Sequence, residues 1–118
     1  MVMTSTEFAH EWIEAWNSHD LERIMTHYAD EVDFTSPVIV RLLGIADGRI
    51  KGKADLNAYF KKGLEAYPDL HFELQHILDG VNSVTLIYRS IHNTLSAEFM
   101  ELDTDGKVCL VKAHYKSL

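Results

Sequence analysis

The spacing of the apolar residues changes partway along this chain, and that change restricts the folds open to it. The last stripe of apolar residues at helical intervals ends at Pro68; beyond it they alternate in four short runs, LHFELQHIL, SVTLIYRSI, TLSAEFMEL and KVCLVKAHY. The breaks between these runs are DGVN, HN and DTDG, rich in the Gly, Asn and Asp residues that tight turns require. Helices first and an antiparallel meander last predict an α+β fold, with helices packed on one face of a curved sheet.

The helical part divides into three. Thr4-x-x-Glu7 has the form of a capping box, and Phe8, Trp12, Ala15 and Trp16 behind it share one helical face. NSHD interrupts, and Asp20 is placed to cap a second, short helix carrying Leu21, Ile24, Met25 and Tyr28. Residues 31–36 read as a strand, and RLLGIADGR as a loop with at most one helical turn. Leu56, Tyr59, Phe60, Gly63 and Leu64 keep a helical stripe until Pro68 stops it. No repeat or linker breaks the chain, and 118 residues suit one domain, 1–118, with a single core.

Charge narrows the partners. Eighteen acidic and 11 basic residues give a formal charge of −7, and the only basic clusters, Arg49-Lys51-Lys53 and Lys61-Lys62, are flanked by acids. Nucleic acid and anionic membrane are therefore not expected partners, because phosphate binding needs a basic face. The start MVMTSTEFAHEW lacks the pattern of a secretory leader, and the lone Cys109 suits a reducing setting, so the expected location is cytoplasmic. Seven histidines invite a metal, but His71 and His76 are five apart on one strand and point to opposite faces. DTDG at Asp103 begins like a calcium loop, yet His114 stands where the closing glutamate belongs. The expectation is no metal and no cofactor.

Three strings carry a resemblance: FAHEWIEAWNSHDLERIMTHYADEVDFTSP, IKGKADLNAYF and DGKVCLVKAHY. With the order of elements, they resemble the nuclear transport factor 2-like superfamily, and within it the SnoaL-like branch. The resemblance covers essentially the whole chain. It implies a cone-shaped curved antiparallel sheet closed by three N-terminal helices around a central pocket. It leaves activity open, since the superfamily holds ketosteroid isomerases, polyketide cyclases, epoxide hydrolases, dehydratases and members that only bind or dimerise. In the isomerase branch the residue before the proline of this strand is an aspartate base; here it is Ser36. The branch's first-helix tyrosine donor falls on Trp12, and its protonated aspartate donor falls on Glu98. A serine hydroxyl does not abstract a proton α to a carbonyl without an activating base, so steroid isomerisation by that mechanism is not expected.

The catalytic candidate is Glu98. It shares a strand face with Ser96 and Met100, so it is a half-buried acid with a raised pKa, a solvated charge on the outer sheet face, or a partner of Arg89, which would make an inward cation–carboxylate dyad if both face the pocket. Arg89 alternates with Thr85 and Ile87, and needs either a carboxylate or a ligand anion. Trp12, Trp16, Phe34, Tyr59, Tyr88 and Tyr115 come from elements that line the cone in relatives. They imply a pocket for a small hydrophobic molecule, with Ser36 at its mouth; the alternative is that the rings only fill a core. His114 alternates with Leu110 on what the resemblance makes the outer face, where a homodimer is expected. Two readings of function follow: an isomerase, cyclase or hydrolase using Glu98, or a non-catalytic ligand-binding or dimerising module.

Overall fold

The computed structural model describes residues 3–116, so the expected domain limits at 1 and 118 lie outside the described residues. Its elements are α1 (Ser5–Ser18), α2 (Leu21–Met25), β1 (Tyr28–Thr35), α3 (Pro37–Leu43), β2 (Arg49–Lys51), α4 (Lys53–Ala66), β3 (Glu73–Gly80), β4 (Ser83–Arg89), β5 (Leu95–Leu102) and β6 (Val108–Tyr115). The capping box forms: Glu7 N–H donates to Thr4 Oγ1 at 3.1 Å, and Thr4 N–H donates to Glu7 Oε1 at 2.9 Å. Asp20 accepts from Arg23 N–H at 3.2 Å and caps α2.

The six strands form one curved, unclosed sheet in the order β2-β1-β6-β5-β4-β3. The meander β3 to β6 is antiparallel throughout, as the turn residues predict. The sheet as a whole is mixed, however, because β1 lies parallel to β6. Short turns force antiparallel neighbours. No local signal sets the direction of two strands separated by most of the chain. Tyr28, placed by its spacing on the α2 face, instead begins β1.

A second difference is the helix count. Residues 37–43 form α3, giving four helices where the spacing predicts three. Its β-branched stretch Val38-Ile39-Val40 disguises it, but its ends are well marked. Ser36 is the N-cap, accepting from Val38 N–H at 3.1 Å; Pro37 occupies the first turn, and Gly44 closes the helix at φ 70°. Gly48 holds the returning chain against this cap. Its carbonyl accepts from Ser36 N–H at 2.9 Å, and at φ 63° a Cβ would lie 2.9 Å from the Ser36 carbonyl oxygen, leaving room only for glycine. Ser36→Ala is accordingly expected to cost about 1 kcal/mol. Urea unfolding checks this, and an unchanged midpoint would mean the cap contributes nothing.

Packing separates the two faces of the sheet. α4 lies on β1 and β2, α1 on β3, α2 bridges α1 and α4, and α3 meets β6. Val84, Leu86 and Tyr88 on β4 and Ser96, Glu98 and Met100 on β5 are buried beneath the helices, while Thr85, Ile87, Arg89, Leu95, Ala97 and Phe99 face outward and are half-buried. That alternation places Glu98 inside and Arg89 outside. No helix among the described residues is long and apolar enough to cross a membrane.

Candidate functional site

Between α1, α4 and the inner face of β4 to β6 lies a cavity of about 80 Å³. Helix α1 contributes Trp12 and Trp16, one turn apart on the same face, and α4 contributes Tyr59 and Phe60. Phe34 comes from β1, and Tyr88, Glu98 and Tyr115 from β4, β5 and β6. Phe72 closes the side just before β3, held by the end of α1. Asn17 Nδ2–H donates to the Phe72 carbonyl at 2.9 Å, and Phe72 N–H donates to Asn17 Oδ1 at 2.6 Å. His19 Nε2 adds a 2.7 Å contact to the Leu70 carbonyl.

The rings pack face and edge around this space. Phe72 stacks on Trp12 with centroids 5.8 Å apart and an angle of 21°. It also lies 4.6 Å from Tyr88, and Phe60 meets Trp16 at 4.7 Å in an edge contact. The Trp12 indole N–H is already engaged, donating to Tyr28 Oη at 3.0 Å in the core. Trp12 therefore presents carbon surface to the cavity, not the hydrogen-bond donor expected from its position. Trp16 Nε1 is buried with no hydrogen-bond partner among the described residues, an arrangement that costs stability.

Glu98 is the one charged side chain in this wall and is 4% exposed. Tyr88 O–H donates to its Oε1 at 2.6 Å. Burial pushes its carboxyl from the ordinary 4.5 up to about 7, and the Tyr88 hydrogen bond offsets only part of that rise. The carboxyl is therefore divided between its acid and base forms near neutrality, as a proton-exchanging group requires. Burial, reinforced by the Glu98 charge, raises the Tyr88 phenol well above its usual range. Burial and the same charge raise Tyr115 as well, against the lowering effect of the neighbouring Ser36 and Tyr88 hydroxyls.

Among the residues expected at the site, Trp12, Trp16, Phe34, Tyr59, Tyr88, Glu98 and Tyr115 line the cavity together. Ser36 and Arg89 do not. Ser36 is buried behind the wall as the α3 cap, with its hydroxyl beside the Tyr59 and Tyr115 phenols. Arg89 is on the outer face, where its Nη1–H donates to the Asn93 carbonyl at 3.3 Å, so the dyad with Glu98 does not form. The inward residues of β4 are the even-numbered ones, which removes Arg89 by register alone. His114 is exposed on the outer face. Phe60 and Phe72 are the main wall residues that the spacing left unassigned. Phe60 was legible as the ring next to Tyr59 on the α4 stripe; Phe72 reads as part of the strand run LHFELQHIL, but β3 begins only at Glu73, and Phe72 turns into the wall ahead of it.

The sequence model of the SnoaL-like domain matches residues 9–111. Among solved structures, a SnoaL-like protein of unknown function from Burkholderia thailandensis is 42% identical, with a TM-score of 0.92 over 96% of this chain and 94% of that one. An NTF2-like protein of unknown function from Cytophaga hutchinsonii shares the fold at 14% identity, with a TM-score of 0.75 over 98% and 93% of the two chains. The epoxide hydrolase/cyclase-like enzyme SalBIII, described for pyran ring formation in the polyether salinomycin, does so at 16% identity, with a TM-score of 0.76 over 96% and 91%. No curated protein matches the sequence. A family match over most of the chain and a 42% identical relative of nearly the same extent agree with the α+β sheet and its four helices, and the chain belongs to the SnoaL-like family of the NTF2-like cone fold.

Proposed function

We propose that the cavity binds a small, mostly hydrophobic molecule and that Glu98 exchanges a proton with it, in chemistry of the isomerase, cyclase or hydrolase kind. The observation that carries this reading is a buried carboxyl facing an apolar cavity with Tyr88 on one oxygen. Such a group gains acid–base power at neutral pH from burial. Tyr88 orients it, Tyr59 and Tyr115 offer hydroxyls to a polar group of the ligand, and the indole and phenyl rings hold the hydrocarbon part. SalBIII, whose description is epoxide hydrolase/cyclase-like, shares this scaffold. Proton-transfer chemistry at this depth predicts that Glu98→Gln lowers turnover by about 100-fold or more on any substrate that wild type converts, with the fold kept. Unchanged turnover in the variant would remove Glu98 from the reaction.

A second reading, a ligand-binding or dimerising module without chemistry, is favoured by Ser36. The position that holds a base in the isomerase branch holds a helix cap here. It is also favoured by the outer face, where Ile87, Leu95, Ala97, Phe99 and Leu110 form a half-buried apolar area across β4, β5 and β6. Such an area suits a homodimer joined face to face. Phe99→Glu at its centre is then expected to shift light scattering at micromolar concentration from dimer to monomer. A monomeric wild type would end this reading of the face.

A further inference from the structure

The cavity wall carries a carboxylate without a counterion. Elsewhere in the fold, partly buried carboxylates are matched: Glu11 to Arg23 at 2.7 Å, and Asp33 to Arg49 at 2.6 Å. Glu98 is more buried than either, yet no described residue lining the cavity is Lys, Arg or His. Tyr88 occupies Oε1, and Oε2 accepts no hydrogen bond among the described residues. Around this acid the walls are aromatic from several directions: Trp12 and Trp16 from α1, Phe60 from α4, Phe72 before β3, and Tyr88 on β4. Ring faces attract a cation, and a buried carboxylate supplies the opposite charge that makes its desolvation tolerable. An anionic ligand would meet the like charge of Glu98 with no cationic side chain among the described wall residues to offset it. The formal charge of −7 also raises the local concentration of cations around the molecule.

We propose that the ligand of this cavity is a compact hydrophobic amine, bound as its ammonium, with the cationic nitrogen at Glu98 Oε2 and the hydrocarbon part against Trp12, Trp16, Phe60 and Phe72. This names the ligand class of the same site and rests on the reading of the cavity as a ligand site. The space of about 80 Å³ limits the part enclosed to a small head group. The ammonium completes the pairing that the protein leaves open.

Three molecules with one ring and different charge test this: cyclohexylamine, cyclohexanol and cyclohexanecarboxylate. Binding is followed by calorimetry and by the fluorescence of Trp12 and Trp16. At about pH 8 the ammonium is expected to bind about tenfold or more tighter than the alcohol, with the carboxylate weakest. In Glu98→Gln the tenfold preference for the ammonium over the alcohol should disappear. In wild type, lowering the pH from about 8 to about 6 should weaken the ammonium about tenfold and leave the alcohol unaffected, because Glu98 takes up its proton across that range. The titratable groups facing Glu98 are phenols, Tyr88 on β4, Tyr115 on β6, Tyr28 on β1 and Tyr59 on α4, all raised above their ordinary 10 and silent there. The wild-type pH series decides the matter even if the variant fails to fold. Alcohol or carboxylate binding as tightly as ammonium overturns the amine assignment while leaving a ligand cavity. An ammonium preference that survives in Glu98→Gln assigns the attraction to overall charge and overturns it too. If none of the three binds, the ligand-site reading itself falls, and the proposal with it.

Discussion

Replacing Trp12 with alanine is expected to cost about 4 kcal/mol of folding stability. The side chain is 1% exposed and packs against Trp16, Phe72 and Tyr88, so its removal takes away both its transfer free energy and the contacts of three rings. The surrounding wall cannot collapse freely, because Phe72 is pinned to Asn17 by two hydrogen bonds. The indole N–H also donates to the buried Tyr28 hydroxyl, and losing that bond adds about 1 kcal/mol. Against a typical total of about 5–15 kcal/mol, the variant stands near or below the folding threshold. Trp12→Phe keeps a ring and forfeits mainly the hydrogen bond, so it should retain more than half of the lost stability. Urea midpoints of the two variants measure the contrast. A loss under about 1 kcal/mol for alanine would contradict the packing of this wall.

The second large effect is a stability that falls as pH rises. Glu98 has a folded-state pKa of about 7 against an ordinary 4.5. Between those values the folded chain keeps a proton that the unfolded chain has released. Stability is therefore full below about 4.5, declines through the interval, and has lost roughly 3 kcal/mol once the pH passes about 7. Glu98→Gln removes the titration. The variant should be more stable than wild type at about pH 8, by roughly 2–3 kcal/mol, and the two should converge near pH 4.5. Other carboxylates act with the opposite sign at lower pH. Glu11 is held below its ordinary value chiefly by the Arg23 hydrogen bond, and Asp33 chiefly by the Arg49 hydrogen bond. Both lose their contribution as the pH falls through those lowered values. The difference between wild type and variant isolates Glu98 from them. Parallel stability curves for the two proteins across pH 4.5 to 8 would show that Glu98 is not buried as described. A gain in stability with a loss of turnover is the pattern of a group kept for function at a cost to the fold.

The relation between pattern and structure differs from element to element. The α1 capping box, the Asp20 cap and the four meander strands were legible because each rests on neighbours within four residues or on period-two alternation. The alternation in LSAEFMEL assigned Glu98 and Met100 to one face, and the structure buries both. Helix α3 was obscured because Val38, Ile39 and Val40 favour strands, although Ser36-Pro37 and Gly44 mark its ends as plainly as any helix in the chain. Ser36 shows the limit of correspondence by position. The resemblance puts it at the place of a base, yet its hydroxyl caps a helix behind the cavity wall.

Composition and periodicity thus contain the types of α1, α2, α4 and the meander strands and the inward faces of β4, β5 and β6, since these depend on short-range sterics. They do not contain the parallel pairing of β1 with β6, the recruitment of Phe72 through Asn17, or the engagement of the Trp12 indole by Tyr28. Each of these joins residues far apart in the chain, and nothing local encodes such a meeting. The same holds for the character of Glu98. Its acidity near neutrality arises from burial among rings supplied by α1, α4, β4 and the segment before β3, and that environment exists only once those elements have packed.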